Sequence, residues 1–348
     1  MTTVFPIAGE CFTRYQIQYD REMCKRLFET GDMLRCMRQV IVDHTWGIKD
    51  ADITDGMIQA FQCAFTPNGT MAFDEHLISL CKMKVDIQFT CEDIEQWYDT
   101  AMADMFYDNT SIPAQWRYPR YVWTNFILPQ IQENLMQIRW AGVRVDPTPG
   151  VAGNVIDACD GLCKHIQDGV DLGYTTPIAT GPLVKGTVID QIEAFIRDIP
   201  YPYCMQPGYK VLCSPSIKDC YVMEWRERYG MVTGCCDDND NLSARIFNTP
   251  YMLEAVRELE GTDTLIFTSQ NNLIVGRRRG EAFIPNINWE TDKRNLCGMM
   301  EMHRLYGVRC WREFFINDQF KTVSTISNWQ AANANRAANE KGLTVQAV

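Results

Sequence analysis

Three consecutive arginines, Arg277-Arg278-Arg279, form the densest cationic feature of the chain. Guanidinium groups pair with carboxylates through two parallel hydrogen bonds, so such a run suits either a solvated loop or a contact with acids on a neighbouring subunit. The residue types that carry covalent or metal chemistry show no comparable pattern. His44, His76, His165 and His303 fall in four separate segments, none with a second His or Cys at zinc-site spacing. Cys159 and Cys163 are four apart on an expected helix, whereas redox pairs are usually Cys-x-x-Cys. Asp237, Asn239 and Asn241 alternate as in a calcium loop, but Leu242 stands where glycine is needed and Asn248 where a bidentate acid is needed. There is no glycine-rich phosphate loop ending in Lys-Ser or Lys-Thr, and no Gly-x-Ser-x-Gly elbow. No catalytic, cofactor-binding or metal-binding residue is therefore assigned. An α/β enzyme using one of the 15 cysteines as nucleophile stands as the alternative of a different class.

Composition narrows the classes further. A chain of 348 residues, 46% of them hydrophobic, can bury a large core and divide it among subdomains. Its 33 basic and 44 acidic residues give a formal charge of −11, which argues against coating nucleic acid through its phosphates. The cysteines are scattered, odd in number and preceded by no signal peptide, which points to a reducing cytoplasm. No apolar run approaches the roughly 20 residues of a membrane span.

The elements that would position these residues follow from periodicity. An extended arm precedes Tyr19, and residues 20–43 repeat Met23, Leu27, Met37 and Val40 at helical spacing. Residues 57–90 read as a long β excursion with a turn at Asn68-Gly69 and alternation through Val85, Ile87 and Phe89. Thr90 and the acids from Glu92 to Glu95 open a helix. A longer one is expected from about Pro119 to Ala141, striped by Val122, Phe126, Ile127, Ile131, Leu135 and Ile138, stopped by Gly142 and kinked at Pro129.

After Pro147-Thr-Pro-Gly150 a new subdomain begins. It holds a short amphipathic piece near Val155–Ile166, a helix capped by Thr187 and closed by Pro200, a strand Tyr209–Cys213 and a helix entered at Ser214-Pro215-Ser216. Leu265-Ile266-Phe267 and Leu273-Ile274-Val275, joined by a polar loop in which Asn can take positive φ, are expected to pair as a hairpin. Asn295–His303 and Val308–Phe315 are expected to form an antiparallel pair around Leu305-Tyr306-Gly307. Beyond Phe320 the Ala, Asn and Gln content suggests a tail that orders only on contact.

Taken with the hairpin and its arginines, Met83-Lys-Val-Asp-Ile-Gln-Phe-Thr-Cys-Glu-Asp-Ile-Glu95, Val145-Asp-Pro-Thr-Pro-Gly-Val-Ala-Gly153 and the order of elements resemble the major capsid proteins of tailed bacteriophages, of the Hong Kong 97 type. The resemblance spans nearly the whole chain. It implies an α+β fold with an N-terminal arm at 1–56, an E-loop hairpin at 57–90, a peripheral domain with a long spine helix at 91–149, a mixed α/β axial domain at 150–285, returning peripheral strands at 286–320 and a tail at 321–348. It also implies a structural protein of the virion, assembled in the host cytoplasm as hexamers and pentamers of an icosahedral shell around double-stranded DNA. Scaffolding, portal and decoration proteins are the implied partners, contact with the DNA would be weak and non-specific, and no membrane or cofactor is involved. An encapsulin-like compartment around a protein cargo is the alternative within the same fold.

Overall fold

The structure is a computed structural model that describes residues 32–53, 58–63, 71–90, 92, 127–200, 203, 207–230, 243–246, 249–280, 286–290 and 295–320. The arm up to residue 31, the Asn68-Gly69 turn, the helix from Glu92 to Glu95 beyond its first residue, the spine segment before Ile127, the Cys235–Asn241 loop and the tail from 321 lie outside the described residues.

Two five-stranded sheets and one two-stranded sheet organise the described residues. The first sheet contains β1 (Met37–Val42), β4 (Cys81–Phe89), β9 (Leu273–Arg278), β10 (Asn286–Glu290) and β11 (Asn295–Val308). The second contains β5 (Tyr209–Cys213), β6 (Ser243–Arg245), β7 (Met252–Ala255), β8 (Ile266–Ser269) and β12 (Phe314–Ile316), in the order β12-β8-β5-β7-β6. Strands β2 (Thr45–Ile53) and β3 (Met71–Ser79) form the third sheet, an antiparallel hairpin in register from Thr45↔Ser79 to Ile53↔Met71.

Among the described residues four helices cover the larger sheets: α1 (Leu128–Ala141), α2 (Leu162–Asp171), α3 (Val188–Arg197) and α4 (Pro215–Tyr229). In α1 the expected stripe is present, with Leu128, Ile131, Leu135 and Ile138 buried at i, i+3, i+7 and i+10 against Met83, Met300, Met302 and Tyr306 of the first sheet. Pro129 lies at the start of the described part of this helix, and the turn before it, where the expected kink would show, lies outside the described residues. Helices α3 and α4 bury Ile192, Phe195, Tyr221 and Trp225 against Val211, Leu253 and Phe267 of the second sheet. Alternation in the strands divides the cores: Val211 and Phe267 face α3 and α4, while their neighbours Leu212 and Ile266 join the core of the first sheet.

Ser214 caps α4 as expected, its hydroxyl accepting from the Ile217 N–H at 3.3 Å. Thr187 precedes α3 but caps nothing; its hydroxyl donates to the Val184 carbonyl at 3.0 Å. The first N–H groups of α3 instead meet a buried carboxylate from α4, with Val188 N–H donating to Glu224 at 2.8 Å and Ile189 N–H at 3.4 Å. A carboxylate suits the positive end of a helix dipole, and Arg228 holds it from the other side at 2.5 Å. Arg228 also clasps Asp190 at 2.8 and 2.9 Å, which keeps the Asp190 carboxyl below its ordinary range.

Three expectations from periodicity are overturned. Met37–Val42 is a strand, not the end of a helix, because it lies parallel to β9 with every residue in register, from Met37↔Leu273 to Val42↔Arg278. The spacing of Met37 and Val40 suits a helix face, and a partner far along the chain overrides it. Leu265–Phe267 and Leu273–Val275 do not pair as a hairpin. Strand β8 lies between β12 and β5 in the second sheet, while β9 lies between β1 and β11 in the first. Finally, Asn295–Val308 is one unbroken strand, and Phe314–Ile316 leaves it for the other sheet. Gly307 makes no turn; a Cβ there would lie 2.3 Å from Ile78 Cδ1, so glycine admits the base of the β2–β3 hairpin.

Candidate assembly site

Among the described residues the β2–β3 hairpin meets the body near its root. Leu80 N–H donates to the His44 carbonyl at 2.9 Å, and Ile78 packs with Ile274 and Leu305 beside Trp46. Beyond the root it carries no third strand among the described residues, and Leu77 is exposed. A two-stranded ribbon of this kind is marginal in water and needs a surface to lie on. Its first strand begins at Thr45, ahead of the expected excursion at 57–90, while Cys81–Phe89 belongs to the first sheet, paired with β11 from Phe89↔Leu296 to Cys81↔Arg304.

The arginine run follows from β9. Arg277 and Arg278 end that strand beside Ile41 and Val42, and Arg279 N–H donates to the Val42 carbonyl at 3.1 Å. Arg277 is half-buried and Arg278 is exposed. Arg279 lies 3.6 Å from Asp43, both side chains largely in solvent at 75% and 64% exposure, a pairing worth little in water. The run thus sits at the open end of β1 and β9, close in sequence to the hairpin root at His44.

The two large sheets are joined by two short crossings that lie side by side, β8 to β9 and β11 to β12. Asn271 takes positive φ (73°) in the first, the conformation expected of an asparagine in that loop. Asn272 ties the crossings together from a site only 2% exposed. Its amide donates to Thr268 at 3.0 Å and to the Cys310 carbonyl at 2.9 Å, and its side-chain oxygen accepts from the Cys310 N–H at 2.7 Å. Arg309 N–H adds a 2.8 Å bond to the Asn272 carbonyl. Nothing in the local sequence marked Asn272 as more than a loop residue. Asn272→Ala is expected to strand the Cys310 N–H and carbonyl and to cost about 3 kcal/mol, read as a lower urea midpoint; an unchanged midpoint would show that the crossing holds without it.

Several of the thiols are shielded, although Cys63 is exposed. Burial pushes the Cys36 thiol up to about 12, helped by Glu254, and the Cys163 thiol up to about 11; Cys213 is likewise raised by burial. Those thiols are protonated at neutral pH, the wrong state for a nucleophile. Cys159 and Cys163 both lie buried in the core under α2, and Cys159 instead faces Cys81. His165 is held below its ordinary range by burial, with His76 acting in the same direction, so the structure brings two of the four dispersed histidines near each other beside Tyr174. Among the described residues no group of three or more His, Cys, Asp or Glu could hold a metal ion, and no helix is long and apolar enough to cross a membrane.

No protein-family model matches the sequence, and no curated protein matches it. Solved structures do match its fold. A chain of the Satellite phage P4 procapsid, a particle that includes the size determination (Sid) protein, superposes with a TM-score of 0.56 at 13% identity, covering 86% of this chain and 90% of that one. Chains from Mycobacterium phage Ogopogo (TM-score 0.48, 13% identity, 82% and 90% covered) and Microbacterium phage Oxtober96 (0.48, 11%, 83% and 90%) are also similar. The fold is thus a phage capsid-protein fold, and across most of its length the chain is built like the P4 procapsid chain.

Proposed function

We propose that this chain is the major capsid protein of a tailed bacteriophage, a structural and non-enzymatic subunit of the icosahedral head that encloses double-stranded DNA. The observation that carries this reading is the fold shared with the P4 procapsid chain over nearly the full length of both. In this assignment the E-loop is the β2–β3 hairpin, Thr45–Ser79. The peripheral domain comprises the first sheet with α1 as spine and α2 beside it, and the axial domain is the second sheet with α3 and α4. The arm expected at 1–56 is then limited to the residues ahead of β1, and 321–348 are the tail. Subunits associate as hexamers and pentamers in the virion, after assembly in the host cytoplasm with scaffolding, portal and decoration proteins. The formal charge of −11 keeps the shell from gripping packaged DNA, so contact with it is weak and non-specific.

Expression with its scaffold should yield uniform shells by electron microscopy, with nuclease-resistant DNA in particles from infected cells; a monodisperse monomer under every assembly condition would overturn the assignment. Arg277, Arg278 and Arg279 are proposed to pair with acids on a neighbouring subunit. Replacing all three by Gln should leave the circular dichroism and urea midpoint nearly unchanged, since surface pairs contribute at most about 1 kcal/mol each, while shell yield falls at least tenfold. Normal shells from the triple variant would remove the arginines from the interface.

A further inference from the structure

Cys81 and Cys159 come from distant parts of the chain and meet in the core between the hairpin root and the end of the long helix. Cys81 opens β4, two residues after the hairpin ends, and is 4% exposed; Cys159 lies between α1 and α2 and is 1% exposed. Cys81 stands directly across the ladder from Arg304, and the Cys159 sulfur lies 3.6 Å from the Arg304 carbonyl oxygen. The Asp160 N–H, next in chain to Cys159, donates to the Cys81 sulfur, and the two thiols hydrogen-bond to each other. Both are reduced in this structure.

We propose that Cys81 and Cys159 form an intrachain disulfide that fastens the root of the β2–β3 hairpin to the C-terminal end of α1. The Cys159 loop is already joined to that helix end, since Gly161 N–H donates to the Gly142 carbonyl at 2.8 Å and Arg144 N–H to Asp160 at 2.9 Å. A bond there would lock the direction in which the hairpin leaves the body. The asymmetry of the pair favours the chemistry: the Cys159 thiol brings Cys81 down to about 7 despite its burial, while Cys159 is held up in its protonated form.

A small peroxide is the oxidant of the proposed step. The Cys81 thiolate attacks one peroxide oxygen, breaking the O–O bond and giving a sulfenic acid and hydroxide. Once Cys81 is a neutral sulfenic acid, the thiolate that held the Cys159 proton in place is gone, and Cys159 gives up that proton as its sulfur attacks; the S–S bond forms, the S–O bond breaks, and the proton leaves with the hydroxyl group as water. Overall two thiols and one hydrogen peroxide give a disulfide and two waters, sulfur being oxidised and peroxide oxygen reduced. In a reducing cytoplasm the pair stays as thiols, and it closes once the protein reaches an oxidising medium.

The test uses the full-length protein treated with hydrogen peroxide, blocked with iodoacetamide in denaturant and mapped by non-reducing peptide mass spectrometry. A Cys81–Cys159 cross-linked peptide is expected, retained in Cys163→Ser, lost in Cys159→Ser, and accompanied by a dithiothreitol-reversible rise in Tm of roughly 10 °C. Cys81 recovered as sulfinic acid, joined to another cysteine, or still a free thiol after oxidation would overturn the proposal. The wild-type map decides this even where a serine variant fails to fold.

Discussion

Gly142→Ala and Gly161→Ala are each expected to lower stability by about 3 kcal/mol, the upper range for overpacking a well-filled interior. The two glycines lie where α1 ends and the segment before α2 crosses it. A Cβ on Gly142 would sit 2.2 Å from the Cys159 carbonyl oxygen and 2.6 Å from that of Ile138. One on Gly161 would sit 2.4 Å from the Ile138 carbonyl oxygen and 2.8 Å from the Gly142 nitrogen. Every one of these neighbours is backbone, so no side chain can swing aside. The strands of chain are held at that separation by bonds from Val143 to Ile156, Val145 to Asp157 and Gly161 to Gly142, at 2.8–3.0 Å. Neither glycine has positive φ, so close approach is the whole reason for its presence. Gly153→Ala is the control, because nothing lies within 4 Å of its Cβ position. Urea unfolding of the three variants decides the matter, and equal midpoints for Gly142→Ala and Gly153→Ala would refute the close-approach account.

The second large effect belongs to the ion pair of Arg139 and Glu258, at 2.6 Å with side chains 4% and 0% exposed. Arg139 stands near the C-terminal end of α1, where a cation is favoured, and the other Glu258 oxygen accepts from the Met33 N–H at 3.4 Å. One carboxylate thus ties the long helix, the turn at Arg257–Leu259 and the 3-10 turn at Asp32–Cys36 into a single core. Arg139→Leu leaves the carboxylate without its cation in that core and is expected to cost about 4 kcal/mol. Arg139→Leu combined with Glu258→Leu should cost clearly less than the two single losses added together, because neither charge is left behind. Additive losses in the double-mutant cycle would mean that the pair does not interact as its geometry indicates.

Locally encoded features were the legible ones. The stripe of α1 from Ile127 to Ile138, the face of α3 and the Ser214 cap of α4 are written in residues within a few positions of one another, and each is present. Failures occurred where a distant partner decides. Leu265–Phe267 and Leu273–Val275 were recognisable as strands, and Asn271 as the residue able to take positive φ, yet their ladders are formed with Tyr209–Leu212, Phe314–Ile316, Met37–Val42 and Arg304–Val308. A loop short enough for a hairpin also serves to step between sheets. Gly307 looked like a turn because a glycine needed for close packing against Ile78 is indistinguishable, in sequence, from one needed for its φ. The Glu224 cap on α3 was equally hidden, since a carboxylate supplied by another helix leaves no mark near Thr187. For the candidate assembly site, the arginine run was visible as a cluster, while the hairpin's true start at Thr45 depended on its pairing with Ser79.

Strand β11 has a mechanical meaning. On one edge it carries β10 along Asn295–Met299 and β9 along Arg304–Val308, butted end to end with a gap between them; on the other edge β4 runs from Leu296 to Arg304 and spans that gap. Builders would call this a lap joint. Tension along the strands cannot open it one bond at a time, as peeling opens a hairpin, but must slide whole ladders past each other at once. If the chain forms the proposed shell, that wall would be pulled in its own plane by its contents, and a splice that fails only in shear is the stronger of the two arrangements.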